Sequence, residues 1–459
     1  MNMLRKILIN CCRLVLALTF ILSGYVKAVD PLGTQYKLQD YLGALGLSTY
    51  VSDWLTLTAS ISLSMVEFAL GIFMLFAIRR KLVSKLTLAF MTVMTVVTIW
   101  VFVANPVKDC GCFGDALVLS NGATLLKNIG LLACAIVVAR RPIDMARLIS
   151  KSNQWIVMNY AIIYIVATSI YCLYLLPIFD FRPYKIGTNI QKSMEIPDGA
   201  EQPEFTTTFI MKKDGKTREF TLDNYPDSTW EFVDSKTVQT KKGYEPPIHD
   251  FSIVNNNTGE DITQQVLNNK GYTFLLISPS LAYADDSNFG DINQIFDYAT
   301  DQNIPFYCLT ASSEKDIYRW RDITGAEYPF YCTDATTLKT IVRSNPGLLL
   351  IKDGVIIGKW SHNLLPKTDE LNAPLDQLEL GHMPSDNVAS RILMVALTFI
   401  LPLLLLTIAD RLWAWSKWVR RRTKEAKQSI NNNIKQSLNK DISQSLNNKK
   451  ENEKENCSR

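Results

Sequence analysis

The amino-acid order predicts a helical membrane bundle carrying one water-soluble α/β domain, with a small β element ahead of that domain. Three observations lead there. Apolar runs stand at about 8–30, 55–78, 83–104, 122–139, 155–178 and 392–410, each of roughly 17–25 residues, enough for a helix to cross a hydrocarbon layer about 30 Å thick. The segment 179–390 is polar and mixed instead, with apolar residues at strand and helix spacing. Basic residues crowd alternate connections between the runs.

The net charge of +4 over 459 residues says little by itself, and its placement says more. Arg5 and Lys6 precede the first run, and Arg13 opens it. Arg79, Arg80, Lys81 and Lys85 lie between the second and third, and Arg140, Arg141, Arg147 and Lys151 between the fourth and fifth. Arg411, Lys417, Arg420, Arg421 and Arg422 follow the sixth, whereas 31–54 and 105–121 carry few basic residues. By the positive-inside rule both termini and the two basic connections are cytoplasmic. The loop with Cys110 and the segment 179–390 then face outward, as expected for a multi-pass protein of a bacterial inner membrane with a periplasmic domain. Residues 1–28 also fit a signal peptide, although Lys27 suits a cleavage site poorly; the later spans keep their orientation under either reading. The basic patch after the sixth run suits the anionic lipid of a bilayer, not nucleic acid.

Six segments follow. Residues 1–150 form a four-helix bundle with short connections, and 151–178 a fifth span. Residues 179–248 are a β-rich linker, 249–390 the α/β domain, 391–412 the sixth span, and 413–459 a basic low-complexity tail, disordered or loosely helical from 423. Within the outer part, 205–240 alternates apolar and polar residues around Asp214-Gly215, a hairpin pattern. Strands are expected at 272–277, 305–309, 329–332, 348–351 and 355–360, and helices at 288–303, 313–323 and 335–344. The β-α-β-α-β-α-β-β order implies a layered fold with a mostly parallel sheet.

Two resemblances emerge from particular strings. Asn345-Pro346-Gly347-Leu348-Leu349-Leu350-Ile351-Lys352-Asp353-Gly354, continued by Val355 to Trp360, resembles the second half of a thioredoxin-like domain. In that family a proline, usually cis, precedes the strand, and Pro346 matches it. His249-Asp250-Phe251 and Gly259-Glu260-Asp261-Ile262 resemble the first strand of the TlpA-like branch, so the likeness covers about 249–365. The family's dithiol belongs after the strand 272–277, where this chain has Ser278-Pro279-Ser280-Leu281. Thiol exchange needs a thiolate and a resolving thiol, so the resemblance implies a domain silent in redox chemistry at that position. In the bundle, Phe20 to Lys27 followed by Asp30-Pro31 resembles the first span of DoxX-like proteins. Asp109-Cys110-Gly111-Cys112-Phe113-Gly114-Asp115 resembles the motif of the related MauE group. These cover about 5–140. The second resemblance implies a link to methylamine utilisation and to disulfide formation in an exported enzyme.

Cys110 and Cys112 are the strongest site among nine cysteines. They precede the fourth span, and partial positive charge at a helix N-terminus lowers a thiol pKa. Their i,i+2 spacing closes a small ring, which favours an oxidising, exchangeable pair. A structural bridge, inert thiols or a metal site stay open, the last lacking a second N/S pair nearby; no metal is expected. Glu67 lies within the second span, where a carboxylate is costly unless protonated or paired. It reads either as a proton-transfer or quinone-binding group or as a hydrogen bond between helices. Cys172, near the outer end of the fifth span, reads chiefly as packing. Cys308 and Cys332 each end a Pro-Phe-Tyr-Cys phrase on neighbouring strands, and are either a disulfide or two buried thiols. His249, His362 and His382 are scattered and suggest no metal hydrolase or His-based triad.

Two functions fit these readings. The first is a membrane thiol–disulfide redox component that passes electrons from exported protein thiols through Cys110 and Cys112 to a membrane quinone. The second is a non-enzymatic, anchored binding or assembly factor whose thioredoxin-like domain recognises a partner. Both require Cys110, Cys112 and the domain on one side. A topology reporter fused near residue 240 and a membrane-impermeant thiol reagent on Cys110 and Cys112 should both report the outer face. A cytosolic signal from either one contradicts the charge argument.

Overall fold

The computed structural model describes residues 2–107, 110–197, 199–201, 204–213, 216–221, 231–241, 243–255, 258–384 and 388–456; for 2, 204–241, 441 and 444–456 only the backbone is considered. Helices α1 (Asn2–Val29), α3 (Asp53–Phe76), α4 (Arg80–Ala104), α5 (Asn121–Arg140) and α6 (Gln154–Tyr174), together with the last helix, are long and apolar enough to cross a bilayer. The chain is a multi-pass membrane protein. Helices α1 and α3 press together at glycines: a Cβ on Gly24 would stand 2.5 Å from the Phe68 nitrogen, and one on Gly71 2.7 Å from the Ile21 nitrogen. Such backbone contact is how helices associate where water drives nothing.

The stretch 31–54, read above as a loop, is largely helix α2 (Pro31–Ala44). Proline at its first position and Asp30 as cap, accepting from the Gly33 nitrogen at 2.9 Å, start it. It lies against α3, where Ser60 donates to the Pro31 carbonyl at 2.7 Å and Gln35 to Thr56 at 3.1 Å.

The basic segments gather at one end of the bundle. Arg5 pairs with Asp144 at 3.3 Å, Arg80 donates to the Met145 carbonyl at 2.7 Å, and Arg411 to the Arg147 carbonyl at 2.7 Å. The cysteine turn and the α/β domain stand at the other end, where Asp30 and Asp115 meet the domain's Arg343.

After α7 (Ile190–Met194), strands β1 (Glu204–Lys213), β2 (Lys216–Thr221) and β3 (Glu231–Lys241) form an antiparallel sheet in the order β2–β1–β3. Asp214 and Gly215, the predicted hairpin tip, lie outside the described residues. Then come α8 (Thr263–Leu267), β4 (Tyr272–Ser278), α9 (Phe289–Asp301), β5 (Phe306–Thr310), α10 (Glu314–Thr324), β6 (Phe330–Cys332), α11 (Ala335–Ile341), β7 (Gly347–Lys352) and β8 (Val355–Ser361). The sheet order is β6–β5–β4–β7–β8. It is a mixed sheet, not a mostly parallel one: β4/β5 and β5/β6 are parallel, β4/β7 and β7/β8 antiparallel. Periodicity reports a strand but not its direction. The β7–β8 turn is built by Asp353 and Gly354, both at positive φ. Ile292, Ile295, Ile317 and Trp320 of α9 and α10 cover one face of the sheet, and Val266, Leu338 and Ile341 of α8 and α11 the other.

Two readings left open above narrow to one alternative each. Cys308 and Cys332 are separate free thiols. The register sets Cys308 beside Phe330 and Cys332 beside Thr310, so lateral neighbours do not bring the sulfurs into bonding geometry. Cys308 is fully buried, which pushes its thiol pKa up. The tail from 423, read above as disordered or loosely helical, takes the helical alternative, for helix α12 (Val388–Asn456) runs through the sixth span into it. Lys, Gln and Glu are good helix formers, and a helix already nucleated in the span extends without paying for a new start. Cys457 lies outside the described residues.

Arg343, on the segment after α11, docks the domain on the bundle. Its Nε and Nη2 stand 2.9 Å from Oδ1 and Oδ2 of Asp30, a two-pronged pair, and its guanidinium lies 5.2 Å from the Tyr36 ring centre. Burial opposes the Asp30 charge, yet Arg343 and Arg182 hold its carboxyl below the ordinary range. The contact therefore stabilises above the unfolded carboxyl pKa of about 3.9 and is lost as pH falls through the lower folded value. A thermal double-mutant cycle on Asp30→Asn and Arg343→Gln should give a coupling of about 1–3 kcal/mol at neutral pH. Additivity within about 0.5 kcal/mol contradicts the docking.

Candidate functional site: a clamped cysteine turn

Gly111 at φ +62° and Gly114 at φ +51° fold the chain around Cys110 and Cys112. Few residues other than glycine tolerate those values. The Gly114 nitrogen donates to the Gly111 carbonyl at 3.1 Å. The two half-buried sulfurs stand 2.7 Å apart. Asp109 lies outside the described residues.

Each cysteine is held by its backbone carbonyl. That of Cys110 accepts from the Tyr41 hydroxyl of α2 at 2.8 Å. That of Cys112 accepts from Lys27 Nζ at 2.8 Å and lies 2.7 Å from the Ser23 hydroxyl, both on α1. Lys27 also donates to Glu67 Oε2 at 2.6 Å and to Ser23 Oγ at 2.7 Å, so three ammonium hydrogens meet three acceptors. Ser23 stands 3.1 Å from Glu67 as well. Lys27 is 3% and Glu67 5% exposed. Glu67 is thus one half of an ion pair that fixes the turn, and the close approach of α1 and α3 brings it there. Sequence reasoning saw Glu67 but missed Lys27, Ser23 and Tyr41 as partners. The available signal was a second ionisable residue in the first span beside glycines suited to helix contact.

The turn is not at the N-terminus of the fourth span. Helix α5 begins at Asn121, capped by Ser120 through the Ala123 nitrogen at 3.3 Å. The Cys110 thiol is still lowered to about 6, first by its hydrogen bond with the Cys112 side chain, with Thr124 and Lys127 helping against burial. Cys112 is raised, by that same bond and by burial. Lys127 Nζ sits 4.3 Å from the Phe113 ring centre.

Two spaces adjoin the turn. A cavity of about 20 Å³ inside the bundle is lined by Ser23, Glu67, Cys112, Phe113, Lys127 and Asn128, among others. A cleft of about 510 Å³ separates bundle and domain, with Tyr36, Lys37, Gly111, Asp115, Lys339 and Arg343 in its walls.

The other candidates are elsewhere. Cys172 is 2% exposed within α6. The Asn345–Pro346 peptide is cis and leads into β7. Where the thioredoxin-like resemblance would put thiols, Ser278 donates to Asn345 at 2.7 Å, and Asn345 to the Ser280 carbonyl at 2.8 Å. Folding brings His362 Nδ1 to 2.9 Å from Ser344 Oγ and Nε2 to 3.5 Å from Asp285. Ser344 is nevertheless tied to the backbone, donating to the Pro346 carbonyl at 2.5 Å and accepting from the His362 nitrogen at 3.1 Å, so this is no activated nucleophile. Among the described residues no group of three or more His, Cys, Asp or Glu gathers to hold a metal ion.

Fold and site together define a multi-pass membrane protein with a paired-cysteine turn clamped at one end of its bundle. Residues 5–141 match the family of the methylamine utilisation protein MauE. That match runs from α1 to the end of α5 and contains Lys27, Glu67, Cys110 and Cys112. Residues 205–242 match a domain of unknown function, DUF8463. No curated protein and no solved structure matches the chain.

The unequal thiols are measurable. Alkylation of the reduced protein should modify Cys110 with a midpoint near pH 6 and leave Cys112 unmodified at neutral pH. Replacing Cys112→Ala removes the bond that lowers Cys110 and moves its midpoint up toward the ordinary thiol value of about 8.5. Equal rates at both sulfurs contradict the assignment.

Proposed function

We propose that the protein is a membrane thiol–disulfide redox component, with Cys110 and Cys112 exchanging electrons between exported protein thiols and a membrane quinone. The observation that carries this reading is the geometry of the turn: two sulfurs 2.7 Å apart, with both carbonyls pinned from neighbouring helices. A pinned pair can open and close its S–S bond without rearranging the bundle. In the oxidised state a client thiolate attacks the Cys110 sulfur, the Cys110–Cys112 bond breaks, and the Cys112 sulfur takes a proton. The second client thiol then attacks the mixed disulfide, so the client leaves oxidised and the pair is reduced. Two electrons then pass from the pair to the quinone, which takes up two protons to become quinol as the bond is restored.

The charge pattern of the loops supports an outward-facing turn in a bacterial inner membrane. The order β6–β5–β4–β7–β8, flanked by helices on both faces, supports a thioredoxin-like reading of the domain. Lacking thiols at 278–281, the domain holds the client over the cleft while the bundle performs the exchange. The family match supports an exported enzyme of methylamine utilisation as the class of client.

Changing Cys112→Ser removes the bond that a client thiolate attacks and should abolish turnover, leaving client thiols reduced on gels of alkylated envelope protein. In quinone-depleted cells the reduced form of the pair should accumulate. Unchanged envelope thiol oxidation in the variant sinks the redox reading. Ser278 and its neighbours favour a second reading, an anchored binding or assembly factor without redox chemistry. That reading requires the full chain with both Cys110 and Cys112 replaced by Ser to keep its partner and its function.

A further inference from the structure

We propose that Ser23, Lys27 and Glu67 form the proton exit of the cysteine pair, an inference that rests on the redox reading above. When the reduced pair closes, the Cys110 thiolate and the Cys112 thiol give one disulfide, two electrons for the quinone and one proton from Cys112. The quinone takes up two protons to become quinol. One is the Cys112 proton, and the other comes from the solvent that received the Cys110 proton.

The path for the Cys112 proton leads inward. Cys112 and Glu67 line the same cavity of about 20 Å³, a volume that admits about one water. The Ser23 hydroxyl holds the turn over that cavity, 2.7 Å from the Cys112 carbonyl and 3.1 Å from Glu67, so Ser23 is a positioning residue and the thiol proton crosses the cavity. Lys27 spends one hydrogen on each of Glu67, Ser23 and the Cys112 carbonyl, at 2.6, 2.7 and 2.8 Å. That fixes acceptor and hydroxyl within reach of the cysteine. Lys127 and Asn128 of α5 close the cavity, and α4 contributes the apolar Phe90, Met91 and Met94. Glu67 is the carboxylate of this cluster and so its base, while Lys27 is a positioning residue. A mere staple between α1 and α3 needs the ion pair but neither the cavity nor the link to Cys112.

The test is reoxidation of the reduced full-length protein in nanodiscs by decylubiquinone, set against alkylation of Cys110, which needs no proton from Cys112. Glu67→Gln preserves size and hydrogen bonding but removes the base. Quinone-driven reoxidation should slow about 100-fold, the scale of a lost acid–base group, with Cys110 alkylation unchanged. A wild-type quinone rate in Glu67→Gln overturns the proposal. Should that variant fold poorly, Lys27→Met with Glu67→Met removes both charges as a matched pair. It should show the same slow quinone step, and a wild-type rate there means the pair is only a staple. If the unaltered protein is not reoxidised by quinone at all, the redox reading fails, and this inference with it.

Discussion

The close crossing of α1 and α3 governs the rest of the molecule. Gly24 and Gly71 let the two backbones touch, and that contact sets Lys27 against Glu67 in a place where neither could stay charged alone. The pair then spends its remaining hydrogen-bonding capacity on the cysteine turn. A membrane interior supplies no water to satisfy stray polar groups, so the turn is fixed by the same groups that join the helices. The same groups thus serve both the helix contact and the geometry of the turn.

The second constraint lies at the junction with the α/β domain. Arg343 is buried against Asp30, reaches Asp115 at 3.5 Å, and covers Tyr36. Asp115 is five residues from Cys110, so the same arginine that docks the domain also touches the loop carrying the thiols. The cleft between the two bodies is bounded by that contact. A domain with serines at 278–281 thus borders the turn that carries Cys110 and Cys112.

Much of the architecture was legible because long apolar runs and a regular strand–helix alternation are local signals. The strands 272–277, 305–309 and 355–360 fall within a residue of β4, β5 and β8. Helix α2 was hidden because it is short and lies on other helices, without an apolar run of its own; only Asp30-Pro31 marked its start. The direction of β7 and the separation of Cys308 from Cys332 depend on tertiary register, which periodicity does not encode. In the site, Cys110, Cys112 and Glu67 stood out by type and position. Their partners did not, because Lys27 is 40 residues from Glu67 and Arg343 is 313 from Asp30. Contacts at such separations are made by the fold. The low thiol pKa was expected from a helix terminus, but it comes chiefly from the neighbouring sulfur.

Asp30 serves two masters. It caps the first turn of α2 through Gly33 and receives the arginine of the domain, while Tyr41 at the far end of the same helix grips the Cys110 carbonyl. Helix α2 thus joins the globular body to the Cys110 end of the turn, while the Cys112 end is anchored in α1.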